Sequence, residues 1–410
     1  MSDRVMPRDW RIWRFDEMAT NVNVRIDNPS ESGMERYVGL EHLDPDSLRI
    51  RRWGRPSDVE AGKLCFKTGD IIFAKRRAYQ RKLGVAEFDG ICSAHAMVLH
   101  AKPEVVLPDF LPFFMQSDAF MNRAIEISVG SLSPTINWKA LAEQEFALPS
   151  TDEQKTLAEI FQAADEVTTA LHESASALKT LMQATVDDFF GRGLSDGPHL
   201  LSADTNASPG WSCLSGSDLL VEAYILALKD GNHGSQYPRS NELGDSGFPY
   251  VAASDIGEDG ELDLLKVRRL GVARAKALRI PPALPGDVIL THNATVGRVA
   301  ILPPCDTPIV ASTSTTYYRV NPEKLTNVVL ASLMRSSLFK AQLASYMRQS
   351  TRNQVPITTQ RRMHFLIPPF AEQLRFQELI SSLQTQRNSL QDRLRTARSL
   401  VLQLSRGVFV

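Results

Sequence analysis

Three groups of residues in this chain have types and spacings that could do chemistry. Phe189 to Gly193, "FFGRG", has the Phe-x-Gly-x-Gly spacing of loops that bind S-adenosylmethionine. Such a loop must follow a strand and open a helix, so that backbone N–H groups face the ligand. Here the glycines close a long helical pattern, where they act as stop signals. Ile367 to Phe370, "IPPF", resembles the Asn-Pro-Pro-Phe signature that holds the amino group of a flipped base. Its first residue would have to accept a hydrogen bond, and isoleucine cannot. There is no Gly-x-x-x-x-Gly-Lys-[Ser/Thr] phosphate loop and no His pair with metal-ligand spacing. No Asp/Glu cluster is placed for a nuclease metal. Lone histidines such as His95 and His364 read as structural, and the chain is expected to catalyse no reaction itself.

The third group is cationic. Seven bases lie between Lys63 and Lys82 (Lys63, Lys67, Lys75, Arg76, Arg77, Arg81, Lys82) against one acid, Asp70. Arg49, Arg51, Arg52 and Arg55 flank Trp53 just upstream. Lys266, Arg268, Arg269, Arg274, Lys276 and Arg279 fall in an acid-free stretch, and Arg348, Arg352, Arg361 and Arg362 form a further group. Such clusters suit phosphate contacts, with a few arginines or amides left to read base edges. A solvated basic face gives the same pattern for any single cluster. Basic loops at matching places in both halves favour DNA. The net charge of −1 conceals these patches, because acids elsewhere offset them.

The elements that carry these loops are written twice. "FALPSTDEQ" (Phe146 to Gln154) and "FLIPPFAEQ" (Phe365 to Gln373) share Phe-x-[Leu/Ile]-Pro-x-x-x-Glu-Gln, and each opens a long helical pattern. "GDIIFAKRRAYQRKLGVA" from Gly69 pairs with "GDVILTHNATVGRVA" from Gly286, and "YVGLEHL" from Tyr37 with "YVAASDI" from Tyr250. Ordered echoes with drifting offsets indicate a duplication with loop insertions. The expected fold class is α+β. Two globular domains, 1–151 and 194–370, are each followed by a long helical segment, 152–193 and 371–410. Short apolar runs behind Gly-Asp turns read as strands. "AKPEVVLPDFLPFFMQSDAFMNRAIE" and "NPEKLTNVVLASLMRSSLFKAQLASYM" read as matching helices behind proline-containing turns.

The long helices are expected over Asp152–Phe190 and Ala371–Phe409. Leu157, Ile160, Ala164, Val167, Leu171, Leu178 and Leu181 form a heptad seam in the first. Phe376, Leu379, Leu383, Leu390, Ala397, Leu400 and Leu404 do so in the second, with Ser174, Gln386 and Arg393 as polar intrusions. Asp152 to Asp188 holds eight acids and two bases, whereas Glu372 to Arg406 holds three acids and six bases. Opposite signs favour pairing these helices with each other, as an intramolecular antiparallel coiled coil with a pseudo-twofold axis relating the halves. The alternative is that each helix packs along its own domain. No apolar leader or membrane-length run is present, and the four cysteines are scattered. Both features point to a soluble protein of the reducing cytoplasm.

With "LKDGNHGS" (Leu228 to Ser235) added, the whole chain resembles the specificity subunits of type I restriction–modification systems. In that family an Asp-Gly-x-His-Gly stretch opens many target-recognition domains. A Gly-Asp strand and glycine-containing loop follow in mid-domain, and a Pro-x-x-x-Glu-Gln junction closes the domain. All three occur in order in the second half. The first half lacks the Asp-Gly-x-His-Gly stretch, and "THNATVG" carries His292 and Ala294 where members often have Arg and Gly.

The resemblance implies a non-catalytic DNA reader in which each domain reads one part of a bipartite target and the helices set the spacer. It implies double-stranded DNA, two modification (methyltransferase) subunits and restriction (motor-nuclease) subunits as partners. No cofactor is expected on this chain, with S-adenosylmethionine, ATP and Mg on the partners. On that reading the DNA-contact candidates are Lys75, Arg76, Arg77, Arg81 and Lys82 in the first half. In the second they are Asn232, His233, His292, Asn293, Thr295, Arg298, Arg352 and Asn353. A bivalent adaptor whose two heads bind protein is the competing reading.

Overall fold

The twin Glu-Gln junctions owe their form to the glutamine. Gln154 is 1% exposed; its Nε2 donates to the carbonyls of Val105 and Pro149, both at 3.1 Å, and its Oε1 accepts from the Leu107 N–H at 2.9 Å. Gln373 is equally buried. It donates to the carbonyls of Lys324 and Pro368, both at 3.0 Å, and accepts from the Thr326 N–H at 3.0 Å. One planar amide carries both donors and acceptor. It therefore ties the end of a strand and the first turn of a helix to the loop that enters the preceding helix pair.

The Gly-Asp turns are the second shared device. Gly69 and Gly286 sit at φ +91° and +89°, a region costly for any residue with a Cβ. The carboxylate that follows closes the turn: Asp70 accepts from the Lys67 N–H and Asp287 from the Leu284 N–H, both at 2.8 Å. The second carboxylate oxygen reaches the neighbouring strand. Asp70 Oδ1 meets His100 Nδ1 at 3.0 Å, and Asp287 Oδ1 accepts from Arg319 Nε at 3.0 Å.

The computed structural model describes residues 9–197, 200–348 and 353–409. They form two units: the chain up to Glu173 together with Gln391 onward, and Ser174–Leu390. In unit 1, β1 (Arg11–Arg14) pairs antiparallel with β10 (Glu145–Leu148). A four-stranded sheet orders β2 (Ala19–Val22), β9 (Met97–Ala101), β6 (Ile71–Phe73) and β7 (Leu83–Val85). A second orders β3 (Arg25–Ile26), β5 (Lys63–Phe66), β8 (Gly90–Cys92) and β4 (Tyr37–Val38), the last pair parallel.

In unit 2, β11 (Ser212–Ser215) pairs with β20 (His364–Ile367). One sheet runs β12 (Ile225–Asp230), β19 (Thr315–Val320), β16 (Val288–Thr291) and β17 (Val299–Ile301). The other runs β13 (Leu243–Gly244), β15 (Arg269–Leu270), β14 (Phe248–Val251) and β18 (Val310–Ala311), with β14 and β18 parallel.

Each stretch read as one helix behind a proline turn is two helices. Ser117 separates Leu111–Gln116 from Asp118–Glu126, and Ser336 separates Asn327–Arg335 from Ser337–Arg348. Both serines leave the helical region at φ −64°, ψ 156°, and each hydroxyl caps the next helix, accepting from the Phe120 or Phe339 N–H at 3.3 Å. A serine that satisfies a free N–H in this way stabilises a break that propensity alone would not place.

The long helices span Thr151–Gly191 and Phe370–Val408. Their buried stripe is not the seam expected from the leucines. Leu171, Leu178 and Phe376 are buried, but Ile160, Val167, Leu181, Leu379, Leu400 and Leu404 are exposed. Burial passes instead through Ala158, Phe161, Thr169, Ile380 and Arg387. A shift of one residue turns a helix by about 100°, and pairs such as Ile160–Phe161 and Leu379–Ile380 put an apolar side chain on either face. Ser174, Gln386 and Arg393 lie off the stripe, exposed.

In unit 1, Phe409 is 5% exposed and stacks on Phe161 at 5.9 Å among Phe110 and Phe114. In unit 2, Phe189 stacks on Phe376 at 4.0 Å, with Phe190 and Trp211 beside them. Packing thus occupies the aromatic residues of "FFGRG".

The charges of the long helices also pair differently from expectation. Among the described residues no ion pair joins one long helix to the other. Asp165 pairs with Arg49 at 3.2 Å and Arg406 with Asp118 at 2.8 Å in unit 1. In unit 2, Asp259 meets Lys179 at 2.9 Å and Arg387 at 3.1 Å, while Glu261 meets Arg387 at 3.0 Å. Solvent screens the outer pairs, but the Arg387 side chain is only 10% exposed. Arg387→Met is therefore expected to destabilise unit 2 by about 2 kcal/mol, read as a lower urea midpoint at constant m. An unchanged midpoint would leave this cluster without energetic weight. Among the described residues, no helix is long and apolar enough to cross a membrane.

Candidate nucleic-acid interface

The β6–β7 connection of unit 1 carries the first five candidates. Its backbone is fixed near its start. The Lys75 carbonyl accepts from the Ile136 N–H at 2.9 Å, and the Arg77 N–H donates to the Pro134 carbonyl at 2.8 Å. Arg77 and Arg81 sit at φ +61° and +53°. Holding a non-glycine residue there costs about 1–3 kcal/mol and needs surrounding structure to enforce it.

Arg81 supplies that structure. It reaches Asp46 at 2.7 Å, Asp118 at 3.1 Å and the Gln116 carbonyl. Lys82 donates to the Leu40 carbonyl at 2.9 Å. These two candidates hold the loop in place. Lys75, Arg76 and Arg77 meet no carboxylate within ion-pair distance among the described residues. Arg76 Nη1 lies 3.3 Å from His95 Nε2, and Arg77 donates to the Ser133 hydroxyl at 3.2 and 3.3 Å. Burial, then the charge of Arg25, lowers the Lys75 pKa. Burial, then Arg76, Lys75 and Lys63, lowers that of His95. Cations this close without counter-charge repel one another, and a polyanion relieves that repulsion. Nearby bases differ: Lys67 pairs with Asp89 at 2.7 Å, and Arg52 with Asp44.

In unit 2 the corresponding loop joins β16 to β17. His292 is 5% exposed, and neither ring nitrogen meets a well-aligned hydrogen-bond partner among the described residues. Burial holds its pKa down, more than the carboxylate of Asp230 raises it. Asn293 accepts the Ala294 N–H at 2.9 Å, with Ala294 at φ +62°. Asn353 donates to the Ala294 carbonyl at 2.9 Å. Thr295 is half-buried in the same loop. Arg298 turns inward, donating to the Ile256 carbonyl at 2.7 Å. Arg352 lies outside the described residues.

The Asp-Gly-x-His-Gly turn follows β12. A Cβ on Gly231 would lie 2.2 Å from the Ser312 carbonyl carbon, so only glycine lets the turn press against the β18–β19 connection. Asn232 is buried and accepts from the Ile280 N–H at 2.9 Å. His233 remains exposed, 3.1 Å from Asp230.

Sequence reading missed Arg25, gave His95 a structural role, and missed the loop Val129–Thr135 that bonds to Arg77. Proximity in the fold brings them together, and no motif marks it. Both loops rest on the same support, a Gly-Asp strand on one side and the segment before the last helix on the other.

Residues 58–179 match the family model described as the type I restriction modification DNA specificity domain. Over that stretch the chain is similar to the specificity subunits of type I restriction–modification systems. It is 27% identical over 221 residues to the type I restriction enzyme EcoDI specificity subunit of Escherichia coli, across 50% of this chain and 47% of that protein. The chain thus spans about half the length of the curated relative it matches.

Two solved structures share its fold. The S subunit of a type I restriction-modification system from M. genitalium aligns with TM-score 0.58 at 13% identity, over 99% of this chain and 98% of that one. A chain from a structure of type I R-M complex assembly and conformational transition aligns with TM-score 0.56 at 19% identity, over 99% of both. The stretch matched by the family model includes the Gly-Asp turn, the cationic loop and the first Glu-Gln clip.

Proposed function

We propose that this chain is the non-catalytic DNA-reading subunit of a type I restriction–modification complex, with each unit reading one part of a bipartite target. The observation that carries the reading is the trio Lys75, Arg76 and Arg77. It is held on a strained, anchored loop and left without carboxylate partners while neighbouring bases are paired. At the matching place, unit 2 presents exposed Asn293 and Asn353 with half-buried Thr295, while His292 is buried. A cationic and a largely neutral polar loop on the same support favour two unlike half-sites.

The two long helices serve as an antiparallel spacer. In each unit the beginning of one packs beside the end of the other, Phe161 with Phe409 and Phe376 with Phe189. The matching sheets, clips and serine breaks support an internal duplication. In unit 1, exposed Ile160 and Val167, at heptad spacing, offer an apolar ridge for modification subunits. Those subunits would bring S-adenosylmethionine, and the motor-nuclease subunits ATP and Mg, in the cytoplasm. A transplant tests the division of labour. Exchanging 194–370 for the same segment of a relative should change one half of the methylated target in mapped cellular DNA and leave the other intact. A change in both halves, or in neither, would contradict independent reading.

A further inference from the structure

Beside the cationic loop of unit 1 lies an element with no assigned role. Val129 and Thr135 close a short loop by exchanging backbone hydrogen bonds, both 3.0 Å. At its tip Leu132 is 91% exposed and Val129 is 72% exposed. The loop is not loose. Arg77 binds the Ser133 hydroxyl through two guanidinium nitrogens and the Pro134 carbonyl through its N–H, and Arg76 bridges to Thr135. A leucine in open water on a loop tied to two cations gains nothing in the isolated chain. Tyr79, 52% exposed and two residues from Arg77, adds a further apolar face.

Resting on the DNA reading above, we propose that the 129–135 loop is an apolar base reader. Leu132 meets the C5-methyl of a thymine in the major groove, while Arg77 and Arg76 hold the adjoining phosphates. The methyl is the apolar feature of a base edge, and it distinguishes T·A from the other pairs. DNA is favoured over a protein partner because the loop is tied to Arg77 by its side chain and to Lys75 and Arg76 by the backbone, and none of the three meets a carboxylate among the described residues. The apolar ridge suited to protein docking lies on the first long helix.

The probe is a duplex carrying the mapped target, with each half-site thymine replaced in turn by deoxyuridine. It is titrated with the complex of this chain and its modification subunits. For the wild type, loss of one methyl at one position should weaken binding about fourfold, the worth of roughly one buried methyl group. Leu132→Ala should bind the unsubstituted duplex correspondingly less well and show no further loss at that position. All other positions should keep the wild-type pattern.

Identical uracil scans for wild type and variant would overturn the proposal, as would a target without thymine in either half-site. Leu132→Ala that binds DNA normally but no longer assembles with modification subunits would make the tip a protein contact instead. A wild-type complex without DNA affinity would overturn the DNA reading itself, and this inference with it.

Discussion

Gln373→Ala is expected to destabilise unit 2 by about 3 kcal/mol or more, one of the largest single-residue effects in the chain. The substitution strands the Thr326 N–H and the carbonyls of Lys324 and Pro368 together, all bonded to one amide that is 1% exposed. Each unsatisfied buried polar group costs about 1–3 kcal/mol, offset where water enters the space left behind. Gln154→Ala should act likewise on unit 1, through Val105, Leu107 and Pro149. The measurement is the urea midpoint of each variant at constant m.

Gln373→Glu sharpens the test. Its carboxylate keeps the Thr326 N–H but faces two carbonyl oxygens, so burial favours the protonated form and raises the folded-state pKa. The folded state then binds the proton more tightly than the unfolded state. The variant's deficit relative to wild type should therefore be smallest at low pH and grow as pH rises through the raised pKa. A pH-independent deficit, or a midpoint within error of wild type, would mean that the clip bears no load and the repeated Glu-Gln is incidental.

These clips were legible in the sequence because a buried amide must be the same residue wherever the same three backbone groups converge. The Gly-Asp turns were legible for a similar reason: φ near +90° needs glycine, and the turn needs a short carboxylate. The long helices were legible in their apolar periodicity.

The seam register did not. Leu379 and Ile380 are equally apolar neighbours, and only tertiary packing chose Ile380. Nor could net charge say where helix charges go, since Asp259 and Glu261 lie far from Arg387 in sequence. The site was least legible. Among five bases in one short loop, the anchors Arg81 and Lys82 differ from Lys75, Arg76 and Arg77 by their partners at Asp46, Asp118, Gln116 and Leu40. Exposure of Leu132 has no sequence signature at all. Motifs in this chain record backbone constraints, and the surfaces that would read DNA vary on top of them.

That distinction makes the triple variant Lys75→Gln, Arg76→Gln, Arg77→Gln informative. Each phosphate contact releases condensed counterions, so log affinity falls with log salt by about 0.9 per contact. Three lost contacts should flatten the slope by roughly 2.7. The same term makes the loss of affinity about five hundredfold near 0.1 M salt and negligible on extrapolation to 1 M. Preference among target sequences should change little, since phosphates carry no sequence information. Stability should hold, because none of the three meets a carboxylate among the described residues and relieved repulsion favours the fold. Arg81→Gln should behave oppositely, lowering the urea midpoint through Asp46 and Asp118 while leaving the salt slope near wild type. Parallel salt lines for the triple variant and wild type would place the phosphate contacts elsewhere in the chain. A flattened line for Arg81→Gln alone would show that the ion pairs seen here give way to DNA on binding.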